Sequence, residues 1–176
     1  GLPLMGCGDW NDGMNLVGMQ QVAITESGTS EATLSKLQSD SAVRSLRDQL
    51  AADLVILLSQ DSNWCGYAYL MTSNSTSFAP SAYAVVYPGC LSNQSLAHEA
   101  GHLQGLDHDR TNAAGGGVDA YSYGYRRCVS DGTAFRDIMS YAASCSAAPR
   151  VLLFSNPYVN YNGYPPGIAH ESDPAN

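Results

Sequence analysis

The sequence predicts a mixed α/β fold of the α+β kind: a twisted sheet with helices packed on it, followed by a mostly irregular C-terminal part. Two observations predict it. Apolar residues at helical spacing over residues 31–52 lead directly into a strand-length apolar run over 53–59, and a second helical window at 92–104 follows a strand-like segment at 82–87. After Asp109 the periodicity fades into stretches rich in Gly, Asn, Pro and Tyr. A chain of 176 residues suits one domain with a core of its own.

Each element has a local reason. Residues 16–24 alternate weakly through Val17, Val22 and Ile24, which predicts a strand, and 27–30 make a loop. Leu34, Leu37, Val43, Leu46 and Leu50 keep a helical spacing, with a break and a fresh N-cap at Ser39-Asp40-Ser41. The run Leu54-Val55-Ile56-Leu57-Leu58 reads as a strand buried on both faces. Residues 65–71 suggest a short strand, 72–80 a polar loop, and 82–87 a further strand closed by Pro88-Gly89. Ser92 or Asn93 is expected to cap the next helix, with Leu96, Ala100 and Leu103 as its buried stripe. A glycine-rich loop at 111–119 precedes the aromatic and basic patch at 121–127, in which Arg126 and Arg127 either read an acidic side chain or pair with the chain's own carboxylates. A strand is expected at 151–154 and irregular chain at 156–166.

One stretch carries chemistry: His98-Glu99-Ala100-Gly101-His102-Leu103-Gln104-Gly105-Leu106-Asp107-His108-Asp109. Side chains four apart on a helix share a face, roughly 6 Å apart along the axis, so His98 and His102 can present imidazole nitrogens to one metal. Glu99 is rotated off that face and can reach a water without becoming a ligand. Gly105 is the residue type that takes a left-handed turn without steric cost, ending the helix and returning His108 as a third ligand. Three protein nitrogens with one open position is the arrangement of a catalytic rather than a structural zinc. The chain has four histidines, and three of them (all but His170) lie in this window.

The motif HExxHxxGxxHD resembles that of the metzincin clan of zinc endopeptidases, and its ending His108-Asp109 resembles the reprolysin-like, bacterial secreted branch. The clan's methionine turn is matched by Asp137-Ile138-Met139-Ser140-Tyr141. The resemblance covers roughly residues 16–170 and implies a metzincin-like sheet with the zinc helix at the floor of a cleft. It implies one catalytic Zn2+ on His98, His102 and His108, Glu99 as general base, and Met139 as an apolar floor. By analogy with other branches Tyr141 has an auxiliary role at the oxyanion, with a packed or rim tyrosine as the alternative. The strand at 83–87 would be the sheet edge that pairs with an extended protein or peptide substrate. The function implied is peptide-bond hydrolysis. A catalytically silent zinc-binding module is the alternative, since the clan's opening strand and helix and its closing helix are not evident in this sequence. Residues 16–176 read as one catalytic domain, shortened at both ends.

The first 15 residues read separately, as a leader or scar. Gly8-Asp9-Trp10-Asn11-Asp12-Gly13-Met14-Asn15 resembles a loop of glycoside phosphorylases, but no barrel or second carboxylate follows, so a carbohydrate-active fragment is remote and Asp9 and Asp12 receive no role. No signal-peptide pattern is present, so the sequence reads as a mature form or a fragment. Eight Lys+Arg against 16 Asp+Glu leave a net charge of −8, which repels phosphate backbones and anionic lipid and argues against nucleic-acid and membrane partners. A secreted monomer is expected. We expect disulfides Cys65–Cys90 and Cys128–Cys145 with Cys7 free, the alternative being free core thiols. Calcium stays open, because Asp, Asn and Gly are plentiful but no EF-hand spacing occurs.

Overall fold

A computed structural model describes residues 14–142, 145 and 148–169. Cys7, Asp9, Asp12 and His170 lie outside the described residues. The first helix, α1 (Ser30–Ser39), starts where the Thr29 hydroxyl accepts the Ala32 N–H. Asp40 serves two helices at once. Its backbone N–H closes α1 on Lys36 O, and its carboxylate accepts the N–H groups of Ala42 and Val43 to open α2 (Ser41–Gln49). The break between the helices thus falls where it was expected.

The main sheet has three strands in the order β1 (Val55–Leu58), β3 (Tyr83–Val86), β2 (Gly66–Ala68). β1 runs parallel to β3, and β2 antiparallel to it. Tyr83 and Val85 join Leu34, Leu37 and Val43 in the core, with Val22, Ile24, Val55, Leu57 and Tyr69 packed against them. Gly66 pairs with Val86 and Ala68 with Ala84, and residues paired across strands share a face. That face looks towards the third helix, α3 (Ser95–Leu103), and a Cβ at Gly66 would run into the Glu99 carboxylate.

Beyond α3 the chain forms two small ladders. β4 (Asp107–Asp109) pairs in parallel with β5 (Tyr123–Gly124), and β6 (Arg126–Arg127) pairs antiparallel with β7 (Phe135–Arg136). Disulfides join Cys65 to Cys90 and Cys128 to Cys145, the expected pairs. The first ties the entry of β2 to the 3-10 segment Pro88–Asn93 that leads into α3, and the second spans the methionine-turn region. The mixture of helices and small sheets is the α+β class expected.

Several expectations are corrected. Residues 16–24 form no strand. Val22 and Ile24 pack half-buried against the core without a ladder, while Leu16, Val17 and Met19 stay exposed. β1 is shorter than expected and is not buried on both faces; as an outer strand with only β3 beside it, it leaves Leu58 exposed. The strand at 83–87 is not an edge, because it lies between its two neighbours with all four residues of β3 buried. The outer edge nearest α3 belongs to β2. Neither Ser92 nor Asn93 caps α3; they sit in the 3-10 segment, and Gln94 enters the helix at φ +71° with no side-chain cap. Ala100 and Leu103 are buried as expected, but Leu96 is exposed. Residues 72–80 include most of a 3-10 turn, Thr76–Ser81, and residues 151–154 form no strand, although Leu153 O accepts the Ile138 N–H at 2.9 Å.

Candidate metal centre

α3 presents His98 and His102 one turn apart on one face, and both are buried. The helix ends as Gln104 and Gly105 hydrogen-bond back into its last turn, with Gly105 at φ +90°. A Cβ there would also strike Val118, so glycine is needed on two counts. The turn returns the chain along β4, and His108 brings its Nε2 to 3.1 Å from the Nε2 atoms of both His98 and His102. Ligand atoms on a tetrahedral zinc with Zn–N bonds near 2.0–2.1 Å stand about 3.3 Å apart. The three nitrogens therefore converge at metal-ligand spacing.

The opposite face of each ring is anchored. His98 Nδ1–H donates to Ile138 O at 2.9 Å and His102 Nδ1–H to Leu106 O at 2.8 Å. A carbonyl can only accept, so these bonds assign the proton to Nδ1 and leave the Nε2 lone pairs facing one another. The His108 ring bonds to the backbone at Asn112. Burial holds the imidazoles neutral, pushing His98 down to about 3 and His102 to about 4, and lowering His108 as well. Neutral imidazoles are the ligand form.

Glu99 is buried, and burial pushes its carboxyl up to about 8. Its charge reaches Tyr141, whose hydroxyl stands 2.9 Å from His108 Nε2. Met139 lies beneath the site, buried, with its sulfur against Gly101, where any Cβ would displace it. The two aspartates of the motif hold the returning loop. Asp107 accepts the N–H of His108 and of Gly116. Asp109 accepts the Tyr141 N–H at 3.1 Å and both its oxygens take the Asn112 amide, while Arg126 lies 3.3 Å away. Asp109 thereby fastens the third histidine's turn to the methionine turn.

The sequence matches Reprolysin_5, metallo-peptidase family M12, over residues 12–155. This chain belongs to that family. Zinc is the family's metal, and three neutral nitrogens with fixed tautomers and tetrahedral spacing fit it. Related proteins include a peptidyl-Asp metalloendopeptidase of Stenotrophomonas maltophilia strain R551-3, 36% identical over 167 residues, which are 91% of this chain and 39% of that protein. A peptidyl-Asp metalloendopeptidase of Xanthomonas campestris pv. campestris is 37% identical over 133 residues, 75% of this chain and 30% of that protein. The chain thus spans about two fifths or less of the length of these relatives. A chain in a solved structure titled "Structure of a chaperone-substrate complex" shares the fold, with a TM-score of 0.55 at 20% identity over 82% of this chain and 22% of that one.

Within the family fold the structure brings together His98, Glu99, His102, His108, Met139 and Tyr141, with Gly105 making the turn. Arg127 is apart, paired with Asp131 and stacked over Tyr164. Three features of the site are not evident in the sequence: Gly66, Gly101 and the fastening role of Asp109. Gly66 and Gly101 have no local signal, because what they accommodate arrives from elsewhere in the chain.

The buried groups set a pH dependence for the metal-free protein. Between pH 7 and 8 the histidines are neutral folded and mostly neutral unfolded, and Asp137, pushed up to about 6 by burial, is largely ionised in both states. Glu99 differs: ionised in the unfolded chain above its ordinary 4.5, it stays protonated in the fold until about 8. The folded state then binds more protons, so stability falls as pH rises through this window, by less than about 1 kcal/mol per pH unit because residual histidine protons of the unfolded chain offset part of the effect. Urea unfolding in chelator at pH 7 and 8 checks this. Glu99→Gln is expected to flatten the decline.

Proposed function

We propose that the chain is the catalytic part of a secreted zinc endopeptidase that hydrolyses peptide bonds at aspartate. The observation that carries the reading is the set of three converging, unprotonated imidazole nitrogens beside a buried carboxyl, Glu99. His98, His102 and His108 would hold the metal. Zinc, when bound, supplies Lewis acidity: it lowers the pKa of water from 15.7 to about 7 and polarises a carbonyl.

The remaining steps belong to the chain's own side chains. The Glu99 carboxylate accepts a proton from the attacking water and delivers it to the leaving amine nitrogen. A cation in the site offsets the burial that keeps Glu99 protonated in the metal-free protein, returning it to the basic form. No acyl-enzyme is needed, because water is the nucleophile. The β2 edge, beside Glu99, suits an extended peptide added as a further strand. The preference for aspartate is drawn from the relatives' names. Two disulfides suit an oxidising, extracellular setting, and no helix among the described residues is long and apolar enough to cross a membrane.

The test is cleavage of an unfolded protein by the zinc-loaded, chelated and zinc-restored chain, with product ends identified. Activity lost on chelation, regained with zinc and located at aspartates is expected. One bound zinc with no cleavage would leave only a silent metal-binding module. Tyr141 takes an auxiliary role at the oxyanion, its hydroxyl being beside His108. Tyr141→Phe is expected to lower kcat by about tenfold, roughly 1.4 kcal/mol of barrier; a change under about threefold would remove that role.

A further inference from the structure

A peptidase that selects aspartate needs a cation beside its cleft, because a carboxylate loses too much solvation to enter an unmatched apolar pocket. The arginines divide clearly by what they touch. Arg126 is matched to Asp109 and Thr111, and Arg127 to Asp131. Arg110 lies over the Tyr123 ring and bonds Ala120 O. Arg47 donates to Ala52 O and Asp53 O at the end of α2, and Arg44 to Ser39 O on the same helix. Arg136 donates to Ala148 O and Ser140 O.

Arg150 is different. It bridges the segment entering α3 and the methionine turn, with Nη1 on Asn93 O at 2.6 Å and Nη2 on Ser140 O at 3.4 Å. Its Nε is buried, with no hydrogen-bond partner among the described residues. Among the described residues no carboxylate lies within ion-pair distance of it; Asp137 is the acidic group whose charge reaches it, and Asp137 Oδ2 is itself unpartnered. Its bond to Ser140 O sets it beside the methionine turn, between Met139 and Tyr141, and its charge is felt at His98, His108 and Tyr141. Arg150 is half-buried, two carbonyls hold its guanidinium in place, each Nη keeps a second N–H, and no carboxylate pairs with it among the described residues, so its outer edge is set to take a planar carboxylate from outside the chain.

We propose that Arg150 is the specificity-determining residue, receiving the aspartate side chain of the substrate next to the scissile bond. This rests on the peptidase reading above. An asparagine in place of that aspartate keeps the shape but loses the charge-assisted bonds, so discrimination of on the order of 10²-fold or more is expected.

The experiment measures kcat/KM for a peptide with a single aspartate and for its asparagine twin, using the zinc-loaded parent, Arg150→Gln, Arg150→Lys and Arg126→Gln, with bound zinc counted in each. The parent is expected to favour aspartate about a hundredfold or more. Arg150→Gln is expected to bring the ratio to within about threefold of unity while asparagine-peptide cleavage and zinc content persist. Arg126→Gln is expected to leave the ratio in place. Should Arg150→Gln fail to fold, Arg150→Lys decides: it keeps the charge and loses the fork, so a ratio lowered about tenfold supports the assignment and an unchanged ratio overturns it. A parent that cleaves without preferring aspartate overturns both the aspartate reading and this one. A parent that prefers aspartate, with the same ratio in Arg150→Gln, overturns the role of Arg150 alone.

Discussion

Glu99→Gln is expected to retain one zinc per chain and to lower kcat by roughly 10³-fold or more, about 4 kcal/mol of barrier. The amide has the carboxylate's shape, so it fits against β2 where Gly66 leaves room, and the three imidazoles keep their bonds to Ile138, Leu106 and Asn112. What disappears is the ability to accept a proton from water and return it to the amine. The variant also removes a carboxyl that burial disfavours when charged, so the metal-free protein should be no less stable at pH 8 than the parent. Kinetics on an unfolded substrate with zinc counted by atomic absorption measures both. A variant that still cleaves within tenfold of the parent would rule Glu99 out as the base.

His102→Ala is expected to lose both zinc and cleavage, the latter to below detection. Two nitrogens remain where three converged, and the ring that donated to Leu106 O is gone, so the turn through Gly105 loses a tie between helix and returning strand. The contrast with Glu99→Gln is the informative part: one variant separates metal from turnover, the other removes both. Excess zinc is expected to leave His102→Ala inactive, because a metal held by two imidazoles lacks the geometry that fixes the water beside Glu99. Equilibrium dialysis with zinc, alongside the cleavage assay, measures this. Full zinc occupancy in His102→Ala would remove it from the ligand set.

Much of the site is legible in the sequence because its geometry is local. His98 and His102 sit four apart on one helix, and helix pitch alone puts them on one face. Gly105 announces the turn through its own backbone freedom, and its φ of +90° is the conformation expected of it. The Asp40 break is local too, one side chain capping the helix that its own backbone separates from the preceding one. The features that escape the sequence share the opposite property. An apolar segment of strand length closed by Pro88-Gly89 marks 82–87 as a strand but says nothing about which neighbours it finds, and the expected edge is the buried centre of the sheet. Leu96 keeps the spacing of a core residue and is nonetheless exposed, because spacing on a helix does not say which of its faces a neighbour covers.

By itself the sequence determined the ligand-bearing helix, the glycine turn, the methionine turn and the family chemistry they imply, since each depends on residues within a few positions of one another. Only the tertiary structure decided that β2 rather than β3 offers its edge beside Glu99. It also decided that Gly66 and Gly101 are empty to admit Glu99 and Met139, that Asp109 ties the third histidine to the methionine turn, and that Arg150 stands at the methionine turn with no ion-pair partner among the described residues. These facts depend on segments tens of residues apart meeting in space, and packing, not local preference, sets such meetings.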